Sequence, residues 1–406
     1  MRGARRRAPP RRADVTGGAA VRPGRTAGTR PGPTVAVTGA ASGVGSLVTE
    51  LLLARPDVGA VVALDERPGG AGDAGGDGTA ATDGTTAAGG AAGTAAADWR
   101  LVDVSSPSLL GALTGVDVVV ALQPEPVVAG EEPDGSDGRP QAPHRDYARA
   151  AAAVLTAAAA AGVRRVVLVT SALVYGALPD NPVPLDEDAP LRAMPDSATV
   201  RDLLEVEALA ERSRAARPSL EVTVLRPAPL VGPGLESALT RHFEAPRLLV
   251  VRGTRPRWQF CHVDDLASAL VLAALGAVSG AVTVGCEGWL EQERVEQLSG
   301  IRRIELPSTL AFGTAERLHR IGVVHESASD LAYVVHPWVV PSTRLRAAGW
   351  RPAWDNETAL GQLLAQAAEG AGRRSGRRDA TIGAAGAAVA VVGTAALVRR
   401  ARRRRR

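Results

Sequence analysis

Eight consecutive residues, Thr38-Gly39-Ala40-Ala41-Ser42-Gly43-Val44-Gly45, have the types and spacing needed to hold a phosphate. Glycines let a backbone turn tightly and approach a pyrophosphate, which then rests on the unpaired N–H groups opening a helix. The run lies between a short β-branched stretch, 34–38, and an apolar helical pattern, 44–55, which is the context such a cradle requires. Twenty residues past Gly45, Asp65 ends a second apolar stretch, 58–65. A carboxylate at that distance accepts both ribose hydroxyls of NAD and repels the extra phosphate of NADP. Arg67, two residues on, softens that preference. The expected cofactor contacts are Gly39, Ser42, Gly43, Val44, Gly45 and Asp65, joined by Val104, Leu122 and Pro227 from later strand ends. Asp103, after the third strand, suits an adenine contact and equally a turn or helix cap.

Other chemistries are excluded by what the chain lacks. All 47 basic residues are arginine, so no amine of adjustable pKa is available. Cys261 and Cys286 stand at no metal or redox spacing, which excludes a disulfide scaffold. The six histidines form no metal-binding cluster, and no metal site is expected. Aromatics are 3 % of the residues, which argues against stacking platforms for single-stranded nucleic acid. The charge is uneven: residues 1–33 carry +8 and 371–406 carry +10, leaving −14 for 34–370 out of a total of +4. Basicity therefore belongs to the ends, and no nucleic-acid partner is inferred from it.

The elements that must position these residues alternate. Strand patterns at 34–38, 58–65, 99–104, 116–122, 164–176 (a buried strand running into a turn) and 220–227 are interleaved with helical patterns at 44–55, 145–162 and 200–216. Strands apolar on both faces and separated by helices predict an α/β fold, a Rossmann-type doubly wound parallel sheet. After residue 230 the pattern loosens into a smaller C-terminal substrate lobe, 231–370, with a returning helix at 264–276. Residues 1–33, rich in Arg, Pro and Gly, read as a disordered basic tail. Their Arg11-Arg12 pair lacks the apolar segment an export signal needs. Residues 68–97, nearly all Gly, Ala, Thr and Asp, read as a low-complexity insertion within the 34–230 nucleotide domain.

Five segments, TGAASGVG (38–45), VVALD (61–65), VTSALVYG (169–176), LRPAPLVGPG (225–234) and RWQFCHVDDLASAL (257–270), together resemble the extended branch of the short-chain dehydrogenase/reductase superfamily, the NAD-dependent epimerases and dehydratases. The resemblance runs from about residue 34 to 370 and implies a Rossmann sheet binding NAD. The glycine spacing TGxxxGxG is that of the superfamily's shorter reductases, and either spacing serves as a cradle. The resemblance also implies a Ser, a Tyr and a Lys for hydride chemistry on an alcohol or ketone. The Tyr exchanges a proton with the substrate oxygen, and the Lys four residues later lowers its pKa. The Ser maps onto Ser171, but alignment through Pro195-Asp196 and Val206-Glu207 puts Thr199 in the Tyr slot and Leu203 in the Lys slot. Neither replacement can do the proton transfer, and the absence of lysine removes any alternative alignment.

Three residues are weighed as substitutes. Tyr175 is a stand-in acid near Ser171, or a structural residue; Tyr147 suits packing at the start of its helix; Arg201 is a surface or ligand-binding arginine. His262 with Asp264 and Asp265 resembles the family's strand-to-helix junction, where one aspartate caps the helix. The expectation is an NAD-binding family member, with NADP less favoured, whose hydride chemistry is impaired or absent. The alternatives are an active epimerase, dehydratase or reductase on a sugar nucleotide or similar alcohol, and a membrane-associated scaffold. The small-molecule ligand is not specified.

The last of these rests on residues 380–398, nineteen without a charge between arginine clusters, in a 371–406 segment ending in polyarginine. At about 1.5 Å per residue they approach the length of a bilayer core. Their high Ala and Gly content weakens insertion, and the flanking arginines also suit an anionic membrane surface. The chain is expected in the cytoplasm, in solution or at the cytoplasmic membrane. By family analogy, helices 145–162 and 199–216 are expected to form a homodimer interface.

Overall fold

The computed structural model describes residues 32–67, 96–122, 147–233, 235, 242–243, 245, 247–320 and 331–375. The expectations placed on residues 1–31, 68–95 and 376–406, including the tails, the insertion and the charge-free segment, lie outside the described residues. Among the described residues, no helix is long and apolar enough to cross a membrane.

Seven strands form one parallel sheet: β1 (Thr34–Thr38), β2 (Ala60–Asp65), β3 (Asp98–Leu101), β4 (Val118–Ala121), β5 (Arg165–Val169), β6 (Glu221–Pro227) and β7 (Ala281–Val284). Their order is β7-β6-β5-β4-β1-β2-β3. The order reverses at β1, which pairs with β2 on one side and β4 on the other. At such a switch point the connections leave in opposite directions and open a crevice at the carboxyl ends of the strands.

Side chains alternate along each strand, so every strand feeds two cores. Val35 and Val37 of β1 pack with α1 (Gly43–Leu53) through Val48 and Leu52. The same core takes Leu266 and Leu270 from a helix at Val263–Ala274. Ala36 of β1, with Val62 and Leu64 of β2, faces the opposite core. Val154 and Leu155 of a helix at Tyr147–Ala161 and Val206 of one at Ala198–Ala216 meet them there. Burying each such Val or Leu contributes roughly 1.5–3 kcal/mol. The sheet is thus covered on both faces, as its apolar strand runs require.

Two features depart from the sequence reading. Strand β7, absent from that reading, returns from beyond residue 230 to extend the sheet beside β6. The helix expected at 264–276 spans Val263–Ala274, and its cap is His262, not Asp264 or Asp265. The His262 ring accepts from the Asp264 N–H at 3.2 Å, stacks on Trp354 and bonds Gln362. Asp265 instead accepts from the N–H groups of Ala353 and Trp354, tying the C-terminal segment to the helix.

The smaller lobe has its own apolar cluster, built on Phe243, Leu248, Trp258, Phe260, Leu360 and Leu363. His242 is buried beside it, with its ring 5.3 Å from that of Trp258 and 5.5 Å from that of Phe243. Among the described residues, neither ring nitrogen has a hydrogen-bond partner. Burial pushes its pKa down to about 4. The unfolded chain, with an ordinary histidine, takes up this proton at higher pH than the folded one does. Stability therefore falls as pH drops from about 6.5 towards 4, by about 3 kcal/mol from this group. Chemical unfolding at several pH values checks this: the His242→Phe variant is expected to lose less stability across that window than the wild type. Parallel slopes for the two proteins would reject the assignment.

Candidate functional site

The cradle is assembled from local bonds before any ligand is considered. Gly39 has φ of 63°, a left-handed conformation that turns the chain out of β1. The Ser42 hydroxyl donates to the Gly39 carbonyl at 2.6 Å and accepts from the Gly45 N–H at 3.1 Å. Ser42 is the N-cap of α1. At the first turn of the helix, Gly43 and Val44 have no intrahelical acceptor for their N–H groups, which carry the positive end of the helix dipole. A Cβ on Gly45 would stand 2.0 Å from the Gly39 carbonyl oxygen, so only glycine permits this closeness of turn and helix.

Asp65 is drawn into the same place by the register of β1 against β2. Its carboxylate accepts from the N–H of Ala41 and from that of Arg67, each at 3.0 Å. Both oxygens keep a lone pair for a ribose hydroxyl. The Thr38 hydroxyl donates to the Leu122 carbonyl at 2.7 Å, bringing the ends of β1 and β4 together across the switch point. Pro227, at the end of β6, is buried. Asp103 is exposed and accepts from the Ser105 N–H at 2.7 Å, so it caps a turn, with Val104 half-buried behind it. These residues fit a dinucleotide: a glycine turn, a helix start for phosphate, and a carboxylate for a ribose.

Ser171 follows β5. Its backbone is extended, and its hydroxyl caps a short 3-10 turn, Ala172–Tyr175, by accepting from the Leu173 N–H. Thr199 lies exposed in the first turn of the Ala198–Ala216 helix, now α4. Leu203, one turn on, is buried, and Arg201 is exposed.

Tyr175 is fully buried. Its hydroxyl donates to the Glu187 carbonyl and accepts from Arg226, each at 2.9 Å. Burial raises its pKa, against the opposing pull of the Arg226 guanidinium. A phenol held this way is turned into the protein, not presented as an acid. Tyr147 donates its hydroxyl to the Val169 carbonyl, and burial raises its pKa too.

Sequence reasoning missed the ion pair behind this turn. The guanidinium of Arg226 meets both carboxylate oxygens of Glu207, at 2.8 and 2.9 Å, and Thr170 donates to Glu207 at 2.7 Å. The signal was present as charges inside apolar runs: Arg226 near the end of β6 and Glu207 on the buried side of α4. Glu187 was missed as well. Its carboxylate accepts from the Thr283 and Arg344 N–H groups, fastening the loop after the turn to β7 and to the C-terminal segment.

A parallel sheet with a glycine turn and a buried carboxylate beside it at the switch point defines a protein of the nicotinamide dinucleotide-binding class. The model of the NAD dependent epimerase/dehydratase family matches residues 35–285, and the chain belongs to that family. An uncharacterized protein of Mycobacterium tuberculosis is 30 % identical over 199 residues, 48 % of this chain and 52 % of the relative. A 3-diazoavenalumate denitrifying reductase of Streptomyces is 36 % identical over 139 residues, 32 % of this chain and 43 % of the relative. The chain thus spans about half the length of the curated relatives it matches. Among solved structures, MoeE5 in complex with UDP-glucose and NAD aligns with a TM-score of 0.53 at 22 % identity, covering 83 % of this chain and 99 % of that one. TunA, an NAD dependent NDP-hexosamine 5,6-dehydratase, aligns with a TM-score of 0.54 at 17 % identity, covering 83 % and 98 %. These likenesses establish the fold.

Proposed function

We propose that this protein binds NAD in preference to NADP and does not carry out the alcohol–ketone chemistry usual in its family. One observation carries the reading: an intact cradle and ribose carboxylate share the sheet edge with a helix that has Thr199 and Leu203 where a phenol and an ammonium would stand. When bound, the nicotinamide supplies hydride-transfer capacity. The chain's own residues grip the phosphates at Gly43 and Val44, hold a ribose at Asp65 and fix the turn at Ser171. Among the described residues, Tyr147 and Tyr175 direct their hydroxyl protons to backbone carbonyls, which supports this reading. Calorimetry with NAD, NADH and NADP on the full chain tests the binding half of this reading. Turnover of a sugar nucleotide or simple secondary alcohol with NAD, at rates usual for the family, would reject the other half.

Cofactor choice gives a sharper expectation. Replacing Asp65 with alanine removes both a ribose acceptor and the negative charge that repels a 2′-phosphate. The NAD:NADP affinity ratio is expected to fall about tenfold, since one charge-assisted hydrogen bond contributes roughly 1.5–3 kcal/mol. An unchanged ratio would place the ribose elsewhere.

A second reading, an active reductase, is supported by the relative named a denitrifying reductase. Hydride passing from NADH to the carbon of an arenediazonium forms a C–H bond, breaks the C–N bond, releases dinitrogen and leaves NAD+. Such chemistry puts no charge on an alcohol oxygen and does not call for a phenol–ammonium dyad. NADH-dependent loss of an arenediazonium absorbance, saturable in the wild type, would favour it.

We also propose that residues 380–406 bind anionic membrane surfaces. Co-sedimentation with phosphatidylserine vesicles at low and high salt tests this, and truncation at residue 379 is expected to abolish it. Dimerisation through the 147–161 helix and α4 is a separate proposal, read by the solution mass of the full chain.

A further inference from the structure

The chain has three tyrosines, and all three phenols are spent on one stretch of backbone. Tyr147, opening the helix 147–161, donates to the Val169 carbonyl at the end of β5. Tyr175, within the 3-10 turn, donates to the Glu187 carbonyl. Tyr333, from the C-terminal lobe, donates to the Leu173 carbonyl at 2.9 Å. The three acceptors lie before, within and after the turn that Ser171 caps. They are approached from three parts of the fold: a helix covering the sheet, the turn itself and the smaller lobe.

We infer that the three tyrosines form a clamp on the Ser171 turn, and that Tyr333 is a positioning residue through which the C-terminal lobe sets the nicotinamide half of the site. The inference rests on the dinucleotide reading given above. Its geometry follows from the sheet. A dinucleotide lying across the switch point places one nucleoside on the β2 side and the other over β4 and β5. Asp65 marks the β2 side as the adenosine half, so the turn after β5 flanks the other half.

Tyr333 is anchored at its own end. Its ring packs edge-on against Trp338 at 5.3 Å, and the Trp338 indole N–H donates to the Tyr333 carbonyl at 2.8 Å. The segment carrying it is tied to the loop after the turn, because the Asn181 amide donates to both the Gly176 and Pro337 carbonyls. A phenol on so short and braced a segment transmits the lobe's position to the Leu173 carbonyl. Displacing it leaves that carbonyl with the Gly176 N–H, at 2.9 Å, and removes the bond that ties the turn beneath Ser171 to the lobe.

The clamp also accounts for the missing acid. A tyrosine acting on a substrate oxygen must direct its proton into the crevice, and each phenol here directs its own into the backbone. The phenols therefore contribute geometry in place of proton transfer.

The test compares two probes on the full chain. NADH reports on both halves of the site, whereas ADP-ribose lacks the nicotinamide. Tyr333→Phe is expected to weaken NADH binding about tenfold, the order of one lost hydrogen bond, and to leave ADP-ribose binding within twofold. Equal weakening of both probes, or of neither, overturns the clamp while leaving the dinucleotide reading intact. Failure of the wild type to bind either probe removes that reading and the clamp with it. Absorbance at 295 nm gives a readout independent of ligand: no tyrosinate is expected below pH 9 with or without NADH. A phenol ionising below pH 9 would identify an acid and overturn the inference. Should Tyr333→Phe fold poorly, Trp338→Phe, which removes the indole brace and keeps the phenol, is expected to reproduce the selective loss at smaller size. No selectivity in that variant overturns the clamp.

Discussion

Replacing Gly45 with alanine is expected to weaken NAD binding about 10- to 100-fold, because overpacking at a tight contact costs roughly 1–3 kcal/mol and 1.4 kcal/mol is a factor of ten. The added Cβ meets the Gly39 carbonyl oxygen at 2.0 Å and the Ala40 Cα at 2.9 Å. Both are backbone atoms, so no side-chain rotation relieves the clash. The turn must open, which separates the Ser42 hydroxyl from its two partners and moves the Gly43 and Val44 N–H groups off the phosphate position. Gly111→Ala is the matching control. Its Cβ has nothing within 4 Å, so affinity is expected to stay at the wild-type value. Calorimetry on both variants settles the matter, and an undisturbed affinity in Gly45→Ala would mean that the phosphates do not rest on this turn.

Replacing Arg226 with methionine is expected to destabilise the protein by about 3–5 kcal/mol, the usual result of leaving a buried charge without its partner. Arg226 and Glu207 are 7 % and 5 % exposed, so water cannot substitute for the lost guanidinium. Among the described residues, Glu207 would retain only the Thr170 hydroxyl as a hydrogen-bond partner, while Tyr175 would lose a donor. Glu207 holds the pair's low-dielectric position from α4 and Arg226 from β6, so the loss loosens the packing of helix on sheet at that point. Urea unfolding reads the size of the effect. Adding Glu207→Leu to Arg226→Met removes the stranded charge, and the double variant is expected to be more stable than the single one. A single variant within 1 kcal/mol of wild type would show that the carboxyl is already satisfied by other groups.

The two experiments probe features of very different legibility. The cradle was readable because its requirements are local. A turn needing positive φ at Gly39, a cap at Ser42 and a close approach at Gly45 involve residues within a span of seven, and a strand and helix pattern flank them. Asp65 was readable because a fixed length of helix and strand returns the chain to the same edge. The parallel sheet followed from strand runs apolar on both faces. The limits of local pattern appear after β6. Strand β7 is only four residues, Ala281–Val284, and its membership in the main sheet depends on a partner more than fifty residues earlier.

What the sequence by itself determined is which chemical groups exist: an arginine-only set of cations, three phenols, a glycine turn and a carboxylate twenty residues beyond it. It also determined that Thr199 and Leu203, one turn apart, carry neither a phenol nor an amine. Only the tertiary structure decided where the surviving groups spend their hydrogen bonds. Tyr147, Tyr175 and Tyr333 are far apart in the chain, and nothing local directs their hydroxyls to Val169, Glu187 and Leu173. Burial does, because a hydroxyl removed from water must find an acceptor, and the backbone carbonyls around Ser171 are the ones the packed helices and lobe bring within reach.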